Sequence, residues 1–299
     1  MPGRARGDPL LPRDGELTGI SPRAAPYALS VPALALLGAF IVVPLCLIFF
    51  ISFQERSATG LWQNVWTIEN YRRALTDVFY VKILGASVRI AAITTVFCIL
   101  VSYPIAYHLA RSTGAVRGAC LFLVLCPLLV STVIRSFGWV VILGDGGAVN
   151  ALLDVAGIGR RKLLYSETAV IVGLTHFLVP FMALPLMVAI ERIPRAVEEA
   201  ARSLGARSLE VFRLVVLPLS FPGLVAGSVL VFTLAVSAVV TPLFLGGRKV
   251  QMIGTQIYDN VTVAFNWPFA GALTTMAIGV TVVAILVARH TASEGRTIR

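Results

Sequence analysis

Charge is what this chain has least of. Only 15 of its 299 residues are Asp or Glu, and charged residues of both signs make up 13%. A soluble domain carries about a quarter, so these side chains could not cover a water-facing surface. Disorder is excluded by the same scarcity, because an apolar chain of low charge density collapses. No G-x-x-x-x-G-K-[ST] occurs, so a loop that cradles a nucleoside triphosphate is missing; H-E-x-x-H and G-x-S-x-G are missing too. Cys46, Cys98, Cys120 and Cys126 lie in apolar runs without C-x-x-C spacing. They read as small buried hydrophobes rather than a zinc site or a disulfide framework. His108, His176 and His290 are scattered, so no metal site and no catalytic group is expected.

Apolar residues are what the chain has instead: 57% of the total, with a mean hydropathy of +0.86. Roughly 20 apolar residues cross the hydrocarbon core of a bilayer as a helix. Six runs qualify, at 27–52, 83–110, 118–143, 167–190, 219–245 and 269–289, which predicts an all-α polytopic membrane protein of six spans. Ala33 to Phe53 is free of charge, and Ser52-Phe53-Gln54-Glu55 after it offers no small-x-small site. The run is therefore read as an uncleaved first span, not a signal peptide. Gly144-Asp145-Gly146-Gly147 reads as a turn after span three, and the sequon Asn260-Val261-Thr262 as a chance match.

Fourteen of the 25 Lys and Arg fall on one side of this topology. They are Arg4, Arg6, Arg13 and Arg23 in the 1–26 tail, Arg111 and Arg117, then Arg192, Arg195, Arg202, Arg207 and Arg213, and finally Arg289, Arg296 and Arg299. Nine lie on the other side, and Arg89 and Arg135 lie inside spans. The bias predicts that both the tail and the 290–299 end are cytoplasmic. It also assigns the +10 balance to the membrane topology and not to nucleic acid. No carboxylate interrupts the interior of a span, which disfavours a carrier driven through a buried proton relay. Any active transport would have to draw its energy from another chain.

One segment does not fit a plain bundle. After span four, residues 191–218 form a cytoplasmic stretch in which Pro194 suits the first turn of a helix. Val197, Ala200, Ala201 and Leu204 would form its apolar face, and Arg195, Glu198, Glu199 and Arg202 its polar one. Gly205 can end that helix at positive φ. A second amphipathic piece then carries Leu209, Phe212 and Val216 on one face until Pro218 stops it. Taken locally, Glu199 could simply pair with Arg202 at i,i+3.

Glu199-Ala200-Ala201, three residues, Gly205, nine residues and Val215-Val216-Leu217-Pro218 resemble the E-A-A-x3-G-x9-[IV]-x-L-P loop of binding-protein-dependent ABC importer permeases. The likeness runs along most of the chain. Ile68-Glu69-Asn70-Tyr71, Tyr103-Pro104-Ile105-Ala106-Tyr107, Arg135-Ser136-Phe137-Gly138-Trp139, Gly147-Ala148-Val149-Asn150 and Asn266-Trp267-Pro268 look like the spermidine/putrescine branch. The arginine motif there more often runs R-T-Y-A-W, and opine, thiamine and ferric-ion permeases share much of the frame.

The resemblance implies the type I importer permease fold in a bacterial inner membrane. It implies an elbow whose Glu199, Ala200, Ala201, Gly205, Leu217 and Pro218 contact a separate ATPase. It further implies two ATPase chains that bind ATP and Mg, a second permease subunit, identical or homologous, and an external substrate-binding protein. No cofactor is expected in this chain. Tyr103, Arg135, Phe137, Trp139, Phe181 and Trp267 are candidates to line the pathway; Arg135 could equally snorkel to the interface. A channel or secondary carrier is the alternative, and a purely structural bundle a third; neither explains the elbow.

Overall fold

The computed structural model describes residues 25–57 and 62–297. The four arginines expected to orient the 1–26 tail, and Arg299 at the other end, lie outside the described residues. Twelve helices follow in order among them: α1 (Ala25–Ser52), α2 (Glu69–Thr76), α3 (Val78–Arg111), α4 (Gly114–Leu129), α5 (Thr132–Leu143), α6 (Ala148–Val155), α7 (Glu167–Glu191), α8 (Arg195–Ser203), α9 (Ser208–Val211), α10 (Leu217–Val236), α11 (Ile253–Thr262) and α12 (Trp267–Thr297). A small antiparallel pair, β1 (Gln54–Glu55) and β2 (Gln63–Trp66), joins α1 to α2. The described residues up to Leu47 form a unit of their own, with Leu34, Leu37, Phe40 and Ile41 exposed. The rest of the chain, from Ile48, is one compact body.

Six segments are long and apolar enough to cross a membrane: Leu34–Ser52, Val78–Arg111, Thr132–Val155, Glu167–Glu191, Ser208–Val236 and Trp267–His290. Two of them correct the sequence reading. The expected third span is broken: α4 ends at Leu129, Val130 is extended, Ser131 is non-helical, and α5 starts at Thr132. Pro127 in the last turn of α4 removes a donor and crowds the preceding carbonyl. Val130-Ser131-Thr132-Val133 follows it, a run poor in helix propensity. The fifth span begins earlier than expected, because Pro218 does not stop the helix. A π-helical turn over Phe212–Val216 widens the backbone just ahead of the proline, and the Leu217 N–H bonds to Phe212 O. The same span ends at Val236, not at 245. The stretch beyond it is packed: Met252 and Ile253 are buried, and the Ile253 N–H donates to Ser87 Oγ at 2.8 Å.

The core of the body lies where α3, α7 and α10 meet. Ile90 and Cys98 from α3 pack with Leu174, Leu178 and Met182 from α7 and Val231 and Ala235 from α10. A second cluster lies toward the elbow, built from Tyr103, Ala106 and Leu109, Leu186 and Ile190, and the elbow's own Val211 and Val216. The lipid tail is as apolar as leucine, so close van der Waals contact decides this packing. Glycines on α10 permit it. A Cβ on Gly223 would come within 2.4 Å of Ala189 Cβ and 2.8 Å of the Pro185 carbonyl oxygen, and one on Gly227 within 2.7 Å of Met182 Sδ.

This contact is testable by overpacking. Gly223→Val should cost about 1–3 kcal/mol, read as a melting midpoint roughly 2–10 °C lower in detergent. Gly279→Ala, with nothing within 4 Å of its added carbon, should leave the midpoint unchanged. Equal midpoints for both variants would show that the α7–α10 crossing relaxes freely.

Candidate functional site

Two places gather the residues that the sequence singled out. The first is the elbow. α8 begins after Pro194, and its chain reverses at Gly205, whose φ is +90°. The N–H groups of Leu204, Gly205 and Ala206 bond to the carbonyls of Ala200, Arg202 and Ala201, which closes the helix end. α9 is then started by Glu210, whose Oε2 accepts the Arg207 N–H at 2.6 Å. Glu199, Ala200, Gly205 and Pro218 are exposed, and Ala201 and Leu217 are half-buried. Leu204, Leu209 and Leu214 are 89%, 66% and 74% exposed, so an apolar surface is left unpartnered on the elbow.

The faces of the elbow differ from those expected. Glu198 points inward and is only 5% exposed, while Leu209 faces out and Val211 takes its place inside. The Arg202 guanidinium stands 3.9 Å from Glu198, not against Glu199. Glu198 receives a hydrogen bond from the Tyr107 hydroxyl at 2.8 Å and an ion pair from Arg111, both near the end of α3. Helical periodicity could not reveal this, since Tyr107 and Arg111 are remote in sequence and only the fold brings them close.

The second place is a cleft of about 1070 Å³ between α3, α4, α5 and α7. Phe97, Val101 and Ile105 form one wall, Leu123 and Pro127 another, and Arg135, Trp139, Thr168, Thr175 and His176 supply its polar groups. Arg135 is 9% exposed and does not snorkel. Its guanidinium donates back across the helix break to the Pro127 carbonyl and, at 3.0 Å, to Thr132 Oγ1. It also lies over the Phe177 ring, 4.3 Å from the centroid. The Trp139 indole N–H donates to His176 Nδ1 at 3.3 Å. His176 had no local sequence signal and is placed here only by the fold.

Of the pathway candidates, Arg135 and Trp139 share this cleft and the others do not. Phe181 meets Phe177 edge-on, with centroids 5.7 Å apart, outside the lining. Phe137 pairs with Phe244 at 4.8 Å. Tyr103 lies toward the elbow, with its hydroxyl on Ser220 Oγ and its ring against Phe212. Trp267 opens α12 and is partly exposed.

The resemblance motifs prove to be structural ties. The Asn70 amide donates to the Ser52 and Gln54 carbonyls, and Tyr71 Oη lies 2.6 Å from Ser52 Oγ. Buried Asn150 bonds to the Gly144 carbonyl and accepts the Arg161 N–H. Asn266 Oδ1 accepts the Phe269 N–H at the start of α12.

Residues 115–293 match the family described as binding-protein-dependent transport system inner membrane component. The chain is 36% identical over 249 residues to the spermidine/putrescine transport system permease protein PotB of Haemophilus influenzae, covering 83% of this chain and 86% of that one. It is 34% identical over 235 residues to the Escherichia coli protein of the same name, covering 78% and 85%. Among solved structures, a bacterial ABC transporter that imports the acidic polysaccharide alginate superposes with a TM-score of 0.73 at 18% identity, over 91% of this chain and 96% of that one. The MetNI methionine ABC transporter in an inward-facing form gives 0.56 at 17%, over 72% and 95%. At these identities the structures establish the fold alone.

The stitch across the helix break makes its own prediction. Arg135→Met keeps the length of the side chain but leaves the Pro127 carbonyl without its donor, a loss of about 1–3 kcal/mol. The melting midpoint should fall by several degrees, and Arg135→Lys, which lacks the planar fork, should recover only part of it. An unchanged midpoint for Arg135→Met would sink the stitch.

Proposed function

The chain belongs to the family of binding-protein-dependent transport system inner membrane components, and from that premise we propose that it is one half of the membrane pathway of an ATP-driven polyamine importer. A second permease subunit, identical or homologous, forms the other half. Two ATPase subunits, which hold ATP and Mg, sit against the elbow, and an external binding protein delivers a spermidine- or putrescine-like cation from the opposite side. The excess of Lys and Arg on the elbow side supports cytoplasmic placement of the elbow and both termini.

The observation that carries this reading is the exposed elbow surface. Glu199, Ala200 and Leu204 stand in the open beside a glycine-dependent turn, with Leu209 and Leu214 exposed beyond it. Exposed leucines on a short helical pair mark a contact surface. Ala201 and Gly205 keep its profile low, and Leu217 and Pro218 join it to α10. The identity to polyamine permeases supports the substrate class.

Selection belongs to the binding protein. A cation in the cleft meets Arg135, Trp139, His176 and hydroxyls but no carboxylate. A ring face attracts an ammonium by about 0.5–2 kcal/mol, whereas millimolar affinity already requires about 4.1 kcal/mol. Weak retention suits a path that must release its cargo.

The isolated chain should therefore show no calorimetric heat with spermidine, while loaded binding protein should stimulate ATP hydrolysis by the complete complex. Gly205→Val should leave the complex assembled and abolish uptake in proteoliposomes. Micromolar binding of spermidine to the chain alone, or normal uptake by Gly205→Val, would overturn the reading.

A further inference from the structure

The two adjacent glutamates of the elbow have opposite environments. Glu199 is exposed. Glu198 is buried and gathers three partners: Arg111 on Oε1, Tyr107 on Oε2 at 2.8 Å, and Arg202 at 3.9 Å. A further tie runs the other way, as Arg195 Nη2 donates to the Arg111 carbonyl at 2.7 Å. One helical turn of the elbow is thereby fastened to the last turn of α3 from both directions. Next to it, Arg117 at the start of α4 pairs with Glu191 at the end of α7.

Covalently, the elbow is attached only to α7 and α10. α3 is a separate element, and it supplies one wall of the cleft before leading into α4 and the helix break. Apolar contacts such as those of Val211 in the second cluster are non-directional and permit one helix to slide on another. Hydrogen-bonded ion pairs are directional. A buried carboxylate separated from its cation is strongly disfavoured, so this tie holds through a displacement that apolar contacts would let slip. We propose that Glu198 is a positioning residue that locks α8 to the end of α3, so that movement of the elbow carries the α3 wall of the cleft with it. The role rests on the reading of the elbow as the ATPase contact.

The experiment uses the complete complex in proteoliposomes and reads molecules imported per ATP hydrolysed, a ratio that a mere loss of folded complex leaves unchanged. Glu198→Gln keeps the shape and an acceptor for Tyr107 but removes the charge. Assembly and basal hydrolysis should persist, and the ratio should fall about tenfold, inside the range usual for coupling between sites. Arg111→Gln should do the same, and the double variant should be no worse than either single one, as expected of one shared tie.

A normal ratio for Glu198→Gln beside an uncoupled Gly205→Val would overturn the lock and leave the elbow reading standing. Normal ratios for both would overturn the two together. If Glu198→Gln fails to assemble, Tyr107→Phe decides: it removes one hydroxyl, and a reduced ratio supports the lock while a normal ratio overturns it.

Discussion

In hydrocarbon a backbone N–H or C=O has no water to bond, and each one left unpaired costs several kcal/mol. Several departures from regular helix among the described residues are attached to a compensating bond. The break at Val130–Ser131 is met by Arg135 on the Pro127 carbonyl. The π turn before Pro218 keeps its bonding through Leu217 N–H to Phe212 O. Where α10 ends, the Ser237 hydroxyl reaches the Thr233 and Leu234 carbonyls. The π turn at Pro242–Gly246 is closed by Gly247 N–H to Pro242 O, and Tyr165 N–H reaches Leu245 O. These irregular points are also where the cleft and the elbow are made.

The second consequence concerns what holds helices to one another. With no hydrophobic preference for protein over lipid, glycine contacts and polar ties take over. α3 and α7 illustrate the division. Along their length they share the apolar core, and Arg89 on α3 pairs with Glu167 at the far end of α7. That pair is about half exposed and is worth roughly 0–1 kcal/mol. At the elbow end Glu198 and Arg111 are 7% and 16% exposed as side chains, where partner loss matters far more. The firmer attachment of α3 is thus to the elbow, not to the opposite end.

Hydropathy made the spans legible, and the spacing around Gly205 made the elbow legible, because both are local periodicities. The break in the third span was not. Proline is no guide, since Pro104, Pro180, Pro185 and Pro222 all sit inside continuous helices. What distinguishes Pro127 is the Val-Ser-Thr-Val run after it and an arginine placed to repair the gap. The inward turn of Glu198 was equally hidden, because two adjacent glutamates look alike until Arg111 arrives from α3. The burial of Met252 and Ile253, between the expected fifth and sixth spans, was hidden as well, because the contact with Ser87 comes from α3.

A buried arginine beside a route proposed for a cation looks contradictory until its surroundings are considered. Arg135 belongs to the first turn of α5, but its guanidinium reaches back to the C-terminal end of α4, where the helix dipole is equivalent to about half a negative charge. Its donors are turned toward the Pro127 carbonyl and the Thr132 hydroxyl, and its flat face toward the Phe177 ring. The positive charge is thus answered in part by the helix end that it repairs and by the π-face beside it, while Arg135 remains one of the groups lining the cleft. Trp139 and His176 lie beside it, joined by the indole N–H on Nδ1. The same residue thus repairs an irregular backbone in the membrane and leaves the cleft with one cationic group among otherwise apolar and hydroxyl-bearing walls.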